Sequence, residues 1–341
     1  MGNITNSTDD AVTLEMIARE AGVSPSTVSR ILNGTARVSE MKRKAVEKTI
    51  ERYNFQPNAI ARGLAKGRTY SIGVLTQFLG SPFYGEGLRG IEEALQPTGF
   101  APLFVSGHWD LKDEISAMTL LQSRRVDGIV VMTGKLSDQH LIEYAQRLPI
   151  VITGRDLQAP NLVSLNVNDY LASYQATQHL IELGHTRIAY ISGPEDHPDS
   201  VERLRGYREA LENAGLSWDP KLVVQADFHE AGGLLAINQL VNSRQGFTAV
   251  FAANDQMAYG VRLGLYRLNI RVPEDISLVG FDDLPNSIYT MPPLTTIRQP
   301  IYEVGRLAAE LILKMIGGEE VQSSKLQLEL VVRESTRRIH R

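Results

Sequence analysis

The chain has 341 residues, 43% hydrophobic and 22% charged, with a net charge of −4 and no cysteine. Such a composition is globular rather than disordered, is too long for one ordinary core, and excludes disulfides, thiolate metal sites and a cysteine nucleophile. No apolar run approaches the ~20 residues that would cross a bilayer, and the start MGNITNSTDDAVT has neither the basic residues nor the apolar stretch of a signal peptide. A cytoplasmic protein with no membrane partner is the expectation.

The average charge hides a split. Residues 11–70 carry a net +6 and residues 71–341 a net −8, with Asp9 and Asp10 making up the difference. A small basic head on a large acidic body implies that the head meets a polyanion.

In the head, Thr13 is a good N-cap, Leu14, Ile17, Ala18 and Ala21 follow helical spacing, and Gly22 stops the helix. Ser24 caps a second helix that has Pro25 at its first position and Val28, Ile31 and Leu32 on its apolar face. Two short helices joined at Ala21-Gly22-Val23 make a helix-turn-helix. A third helix over about 39–53 places Met41, Ala45, Val46, Thr49 and Ile50 on one face and Lys42, Arg43, Lys44 and Lys48 on another. Pattern alone fits either a DNA-binding head or a helical bundle with a solvated basic face. Small polar residues and one Arg on the second helix favour the former, because they can enter a major groove and read base edges.

Pro57 then breaks the third helix, and Asn58 can cap a two-turn helix over about 59–65. Such a helix is marginal in water, and Gly63 weakens it by roughly 0.5–1 kcal/mol relative to Ala. From these residues alone an ordinary flexible linker is the preferred reading of such a segment.

From Ser71 onward, short β-rich runs alternate with amphipathic helices. Candidate strands are 71–76, 101–105, 128–132, 150–153, 162–165, 187–191, 222–225, 249–252 and 277–280, with helices such as 170–183, 201–214, 231–242 and 256–268 between them. This alternation predicts parallel sheets covered on both faces, and so many strands predict two doubly wound lobes with a ligand between them. The strand ends offer Phe83, Tyr84, His108, Trp109, Arg155, Asp156, His197, Asp199, Arg203, Phe228, Asn254, Asp255, Asp282 and Asp283. Flat rings with Arg, Asn and Asp suit a neutral, hydroxyl-rich ligand. Singly, each has a plainer reading: Tyr84 or Phe228 in the core, Asp255 at a helix N-terminus, Arg155 on the surface.

One enzyme pattern is present. Gly85-Glu86-Gly87-Leu88-Arg89-Gly90 fits G-x-G-x-x-G, with Asp110 twenty residues beyond. A dinucleotide turn needs its first glycine at the strand end, however, and Phe78 to Tyr84 intervene here. The glycines are expected inside a helix packed tightly on the sheet. No nucleophile elbow, zinc-helix motif or phosphate loop occurs, and the histidines show no metal spacing. No cofactor and no metal are expected.

The run from Leu14 to Gly34 reads L-x-x-I-A-x-x-A-G-V-S-x-x-T-V-S-R-x-L-N-G. It resembles the DNA-binding head of the lactose/galactose repressor (LacI/GalR) family. HLIELGHTRIAYISGP, AVFAANDQMAYG, RVPEDISLVGFDD and PPLTTIRQP are similar to that family's effector-binding core, itself related to periplasmic sugar-binding proteins. The resemblance implies an all-α helix-turn-helix DNA-binding head over 12–57, a hinge helix over 58–68, and an α/β periplasmic-binding-protein-like body over 69–341. That body has two doubly wound parallel-sheet lobes, one of about 71–165 and 297–326 and the other of about 166–296 and 327–341. It further implies DNA contacts from Thr13, Ser24, Pro25, Ser26, Thr27, Ser29, Arg30, Asn33, Asn58, Ala61 and Leu64, with Leu64 as a minor-groove wedge. Proline at 25 can offer only an apolar contact, which leaves Ser26 and Arg30 as base readers. Effector contacts are implied for Phe83, Tyr84, Arg155, His197, Arg203, Phe228, Asn254 and Asp282, although His197 departs from the residues usual at its position. No leucine-heptad tail follows Arg333, so a homodimer rather than a tetramer is expected.

The expectation is therefore a non-enzymatic, sugar-responsive repressor on a near-palindromic operator. A purine or nucleoside effector on the same scaffold is the alternative. A nicotinamide-dependent enzyme rests on Gly85–Gly90 alone, and a transport-binding protein is opposed by the basic head.

Overall fold

The computed structural model describes residues 12–32, 38–55 and 67–339. The chain divides into two compact units between Thr69 and Tyr70. In the first unit, α1 (Leu14–Glu20), α2 (Pro25–Leu32) and α3 (Glu40–Tyr53) close around buried Ile17, Ala18, Val28 and Val46. Thr13 Oγ1 accepts from the Met16 amide at 3.3 Å, and Gly22 turns between α1 and α2 at φ +64°, where a side chain would be strained. Met41, placed on the apolar face by spacing, is instead 83% exposed. The small core is filled by buried Val46, with half-buried Ile50 a further turn along α3.

The second unit holds two six-stranded sheets. The first has the order β11-β5-β4-β3-β1-β2, from β1 (Ser71–Thr76), β2 (Ala101–Ser106), β3 (Gly128–Met132), β4 (Ile150–Thr153), β5 (Leu162–Val167) and β11 (Ser324–Leu326), all parallel. The second has the order β12-β10-β9-β8-β6-β7, from β6 (Ile188–Ser192), β7 (Val223–Gln225), β8 (Ala249–Ala252), β9 (Ser277–Asp282), β10 (Thr295–Arg298) and β12 (Glu329–Val331). Its edge strand β12 runs antiparallel to β10, a departure from the all-parallel lobe expected. Ile297 and Arg298, assigned from sequence to the first lobe, pair in register with Phe281 and Asp282 of β9 and belong to the second.

The helices are α4 (Pro82–Leu95), α5 (Leu111–Ser123), α6 (Asp138–Ala145), α7 (Asp169–Glu182), α8 (Pro198–Asn213), α9 (Glu230–Asn242), α10 (Asp255–Arg267) and α11 (Ile301–Ile316). Because helices cover both faces, the inner strands are apolar throughout: β3 and β8 are buried at every position. The second lobe's core adds an aromatic cluster, with Tyr190 stacked on Tyr207 at 4.7 Å and Phe251 edge-on at 5.3 Å. Full burial of Phe251 contributes about 1.5–3 kcal/mol. The chain passes between lobes after β5, after β10 and between β11 and β12, so the lobes share three connections.

The glycine pattern finds its reason here. Gly85, Gly87 and Gly90 lie in α4, which packs chiefly on α11 rather than only on the sheet. A Cβ at Gly90 would stand 2.1 Å from the Tyr302 carbonyl oxygen, whereas one at Gly85 would meet nothing within 4 Å. Gly90→Ala is therefore expected to destabilise the protein by about 1–3 kcal/mol. Gly85→Ala should be neutral or slightly stabilising, by up to about 1 kcal/mol. Thermal melts of the two variants read this directly, and equal melting temperatures would contradict the helix contact.

Candidate functional site

On the head, Pro25, Ser26 and Arg30 stand exposed on α2, while Val28 on the opposite side is buried. Ser24 Oγ accepts from the Thr27 amide at 3.2 Å and lies 2.9 Å from Ser26 Oγ and 2.8 Å from Thr27 Oγ1. Ser24 therefore fixes the start of α2, and Thr27 and Ser29 are half-buried beside it. Thr13 is exposed at the start of α1. Lys42, Arg43, Lys44 and Lys48 line the outside of α3. Asn33, Asn58, Ala61 and Leu64 lie outside the described residues. The head thus offers a helix with a polar, single-arginine face and a separate basic helix.

Between the lobes lies a cavity of about 260 Å³. Every element that lines it arrives at the carboxyl end of a strand, where doubly wound sheets bind ligands. The first lobe contributes Phe78 after β1, Ser81, Phe83 and Tyr84 at the start of α4, Trp109 after β2 and Lys135 after β3. The second contributes Pro194, Asp196, His197, Asp199 and Arg203 after β6, Asp227, Phe228 and His229 after β7, Asn254 and Gln256 after β8, and Asp282 at the end of β9.

Arg203 is the electrostatic centre. Its Nε donates to Asp169 Oδ1 at 2.7 Å and its Nη1 to the Ala253 carbonyl at 2.7 Å, with Asp282 at 3.9 Å and Asp199 at 3.8 Å. The guanidinium lies 3.8 Å from the Phe281 ring centroid. Burial pushes the carboxyls of Asp169, Asp199 and Asp282 above the ordinary range, and Arg203 pulls each back. Gln299 Nε2 donates to Asp282 Oδ1 at 2.8 Å, which orients that carboxylate. His197 is pushed down to about 3 by burial and by Arg203, so it is neutral at pH 7. Its ring lies 4.1 Å from Trp109 and 5.0 Å from Phe228.

Asn254 is both cap and lining residue. Its Oδ1 accepts from the Met257 amide at the start of α10, and its Nδ2 donates to the Phe228 carbonyl, both at 2.9 Å. Asp255 turns away from the cavity and accepts from Thr296 Oγ1, Ser287 Oγ and the Leu284 amide. Trp109, Phe228 and Asp282 hold positive φ at 53°, 66° and 124°. Non-glycine residues there cost of order 1–3 kcal/mol each, so the packing around the cavity holds these three side chains in place against backbone strain. The aim also depends on Gly193, where a Cβ would sit 2.2 Å from the Phe228 ring.

Of the residues named from sequence, Phe83, Tyr84, His197, Arg203, Phe228, Asn254 and Asp282 converge on this cavity. Arg155 does not. Its guanidinium donates to the carbonyls of Gly134 and Leu136, both at 2.5 Å, and pairs with Asp138 at 3.2 Å, because the loop after β3 presents those carbonyls together. Only its field reaches the site, at Asp199. Asp156 also stands outside, paired with Lys325 at 3.2 Å. Trp109 and Asp199 are legible at strand ends in the sequence, and Lys135 occupies the same position after β3. Asp196, Asp227 and Gln256 carried no pattern of their own.

Comparison with known proteins agrees in both units. Residues 13–58 match the model for bacterial regulatory proteins of the lacI family, and 177–336 match a periplasmic binding protein-like domain. The chain is 34% identical to catabolite control protein A of Priestia megaterium, over 96% of this chain and 99% of that one. It is 37% identical to the ribose operon repressor of Escherichia coli K12, over 94% and 98% respectively. The structure of the lac repressor dimer bound to operator and the anti-inducer ONPF superposes with a TM-score of 0.87 at 28% identity, covering 96% of this chain and 99% of that one. With a basic three-helix head, a strand-end cleft between two lobes and relatives aligned along nearly its whole length, this chain belongs to the LacI family of bacterial transcriptional regulators.

Proposed function

We propose that the protein is a dimeric repressor acting in the cytoplasm on a near-palindromic operator, and that a neutral monosaccharide in the cleft sets its operator affinity. One observation carries the choice of ligand: the cations around the cleft are already committed. Arg203 is held by Asp169 with Asp199 and Asp282 beside it, Lys135 pairs with Asp196 at 2.8 Å, Arg155 is turned onto carbonyls, and His197 is neutral. A phosphate would bring charge to a site whose carboxylates outnumber its cations. Sugar hydroxyls, by contrast, can donate to Asp282 and Asp199 and accept from the second N–H of the Asn254 amide. Phe83, Tyr84 and Phe228 offer flat faces to the C–H side of a ring. The volume, near the small end of ligand pockets (roughly 300–1,000 Å³), suits one sugar ring better than two. The ribose operon repressor among the relatives supports the same class.

Exposed apolar side chains on the second lobe support dimerisation. Leu235 on α9, Leu263 and Tyr266 on α10, and Ile288, Tyr289 and Met291 in the turn after β9 are all exposed, Met291 by 82%. Arg262 Nε donates to the Met291 carbonyl at 2.5 Å, which joins the turn to α10. Exposed apolar side chains in such number mark a protein interface, and the lac repressor it superposes on is a dimer. No helix among the described residues is long and apolar enough to cross a membrane.

The experiment is a melting-temperature and operator-binding screen with D-ribose, D-galactose, D-glucose, their phosphates, hypoxanthine and guanine. A ligand that binds only the native state at 100 times its Kd stabilises by about 2.7 kcal/mol. A neutral monosaccharide should raise the melting temperature and change operator affinity, with its phosphate weaker. A response to a purine and to no sugar would replace this reading with the purine one.

A further inference from the structure

Beside the edge-on pair of Phe78 and His229 at 6.2 Å, two closer contacts cross the cleft. Lys135 Nζ, from the loop after β3 of the first lobe, stands 2.8 Å from Asp196 Oδ2, from the loop after β6 of the second. Trp109, after β2, lies against His197 with ring centroids 4.1 Å apart. The first-lobe partners are not loosely held. Glu114 on α5 is fully buried, and its two carboxylate oxygens accept from the backbone amides of Lys135 and Leu136, each at 2.8 Å. Gln77, also fully buried, accepts from the Trp109 amide through Oε1 and donates to the Thr133 carbonyl through Nε2, again each at 2.8 Å. Gly134 is required in between, since a Cβ there would stand 2.5 Å from Gln77 Nε2 and 2.6 Å from Glu114 Oε1. A buried Gln77–Glu114 node therefore sets the positions of two residues whose partners lie on the other lobe.

We propose that Lys135 and Asp196, with Trp109 against His197, form a latch that sets how far the lobes close, and so tunes effector affinity through contacts between protein groups. Its consequence for the effector rests on the reading of the cleft given above, but closure itself does not. The Lys135 and Asp196 side chains are 39% and 66% exposed, so salt screens their attraction. A neutral ligand should then bind with a salt dependence that comes from the protein's own latch. Removing an exposed pair of this kind corresponds to a change of about 1.5- to 5-fold in the ratio of closed to open forms.

The protein has two tryptophans, Trp109 and Trp218. In full-length Trp218→Phe protein, Trp109 is the sole indole and reports closure without any ligand. Acrylamide, a neutral quencher, is used at 0.05 and 1 M NaCl. The quenching constant of this protein should rise at high salt. Lys135→Met and Asp196→Asn should each raise it at low salt and abolish the salt dependence, and the Lys135→Glu/Asp196→Lys exchange should restore both. D-ribose affinity should fall in the single variants by the same factor. If Trp218→Phe fails to fold, subtracting the signal of a Trp109→Phe protein gives the same measurement. Equal quenching in all variants at both salts would overturn the latch. So would single variants whose D-ribose affinity falls with quenching unchanged, which would make Lys135 or Asp196 a direct ligand contact. The expected quenching pattern without D-ribose binding would uphold the latch and count against ribose alone.

Discussion

Replacing Asp282 with Asn is expected to lower effector affinity by about 10- to 100-fold while leaving operator binding by the free protein unchanged. Asp282 is buried at the end of β9, its Oδ1 accepts from Gln299, and Arg203 lies 3.9 Å away. Hydrogen bonds to a charged group contribute about 1.5–3 kcal/mol, and about 1.4 kcal/mol is a factor of ten. Asn keeps the shape and the Gln299 contact but removes the charge that hydroxyl donors would meet. Alanine is the poorer test, because the residue sits at φ +124° and a β-carbon without its hydrogen bonds leaves only the strain. Arg203 stays paired with Asp169 in the variant, so no buried cation is left alone. Calorimetry with the sugar found by the screen, together with operator binding with and without it, reads the effect. An unchanged effector response would remove Asp282 from the site.

Arg30→Ala should be the most damaging single change in the head for specific binding. Arg30 is exposed in the last turn of α2, on the same side as Ser26. A bidentate contact to guanine contributes about 1–3 kcal/mol, and a dimer makes it once per half-site. Operator affinity should therefore fall by about 2–6 kcal/mol in total, with little effect on scrambled DNA. Lys42→Ala on α3 should behave differently, weakening all sequences alike and lowering the salt slope by about one unit for each phosphate no longer neutralised. Anisotropy on operator and scrambled duplexes at several salt concentrations separates the two. Equal weakening on both duplexes for Arg30→Ala would end its role as a base reader.

Much of this protein is legible because local rules and tertiary context agree. The head follows from caps, a stop glycine and spacing, and Thr13, Gly22 and Ser24 do in the structure what their chemistry dictates. The β/α alternation of the body follows from apolar runs that must be buried on both faces. Convergence of Phe83, Tyr84, Arg203, Phe228, Asn254 and Asp282 follows from one topological rule, that strand ends of doubly wound sheets face the ligand.

The remainder depends on partners far away in the chain. Strands β10, β11 and β12 have three or four residues each and no periodicity of their own; they exist because β9 and β5 offer open edges. Arg155 has the right residue type at the right strand end, yet a loop some twenty residues earlier presents two carbonyls that hold it off the cavity. Gly85 and Gly90 look alike in the G-x-G-x-x-G run, and the difference between them is the backbone of α11, more than two hundred residues on. Lys135 and Asp196 meet across the cleft only because two separately built lobes bring their loops together. Element type and the ligand-facing end of each sheet are local properties, carried by side-chain period and turn chemistry. Which charges neutralise one another, and which side chains are left for a ligand, are set by long-range packing, where geometry rather than residue type decides who reaches whom.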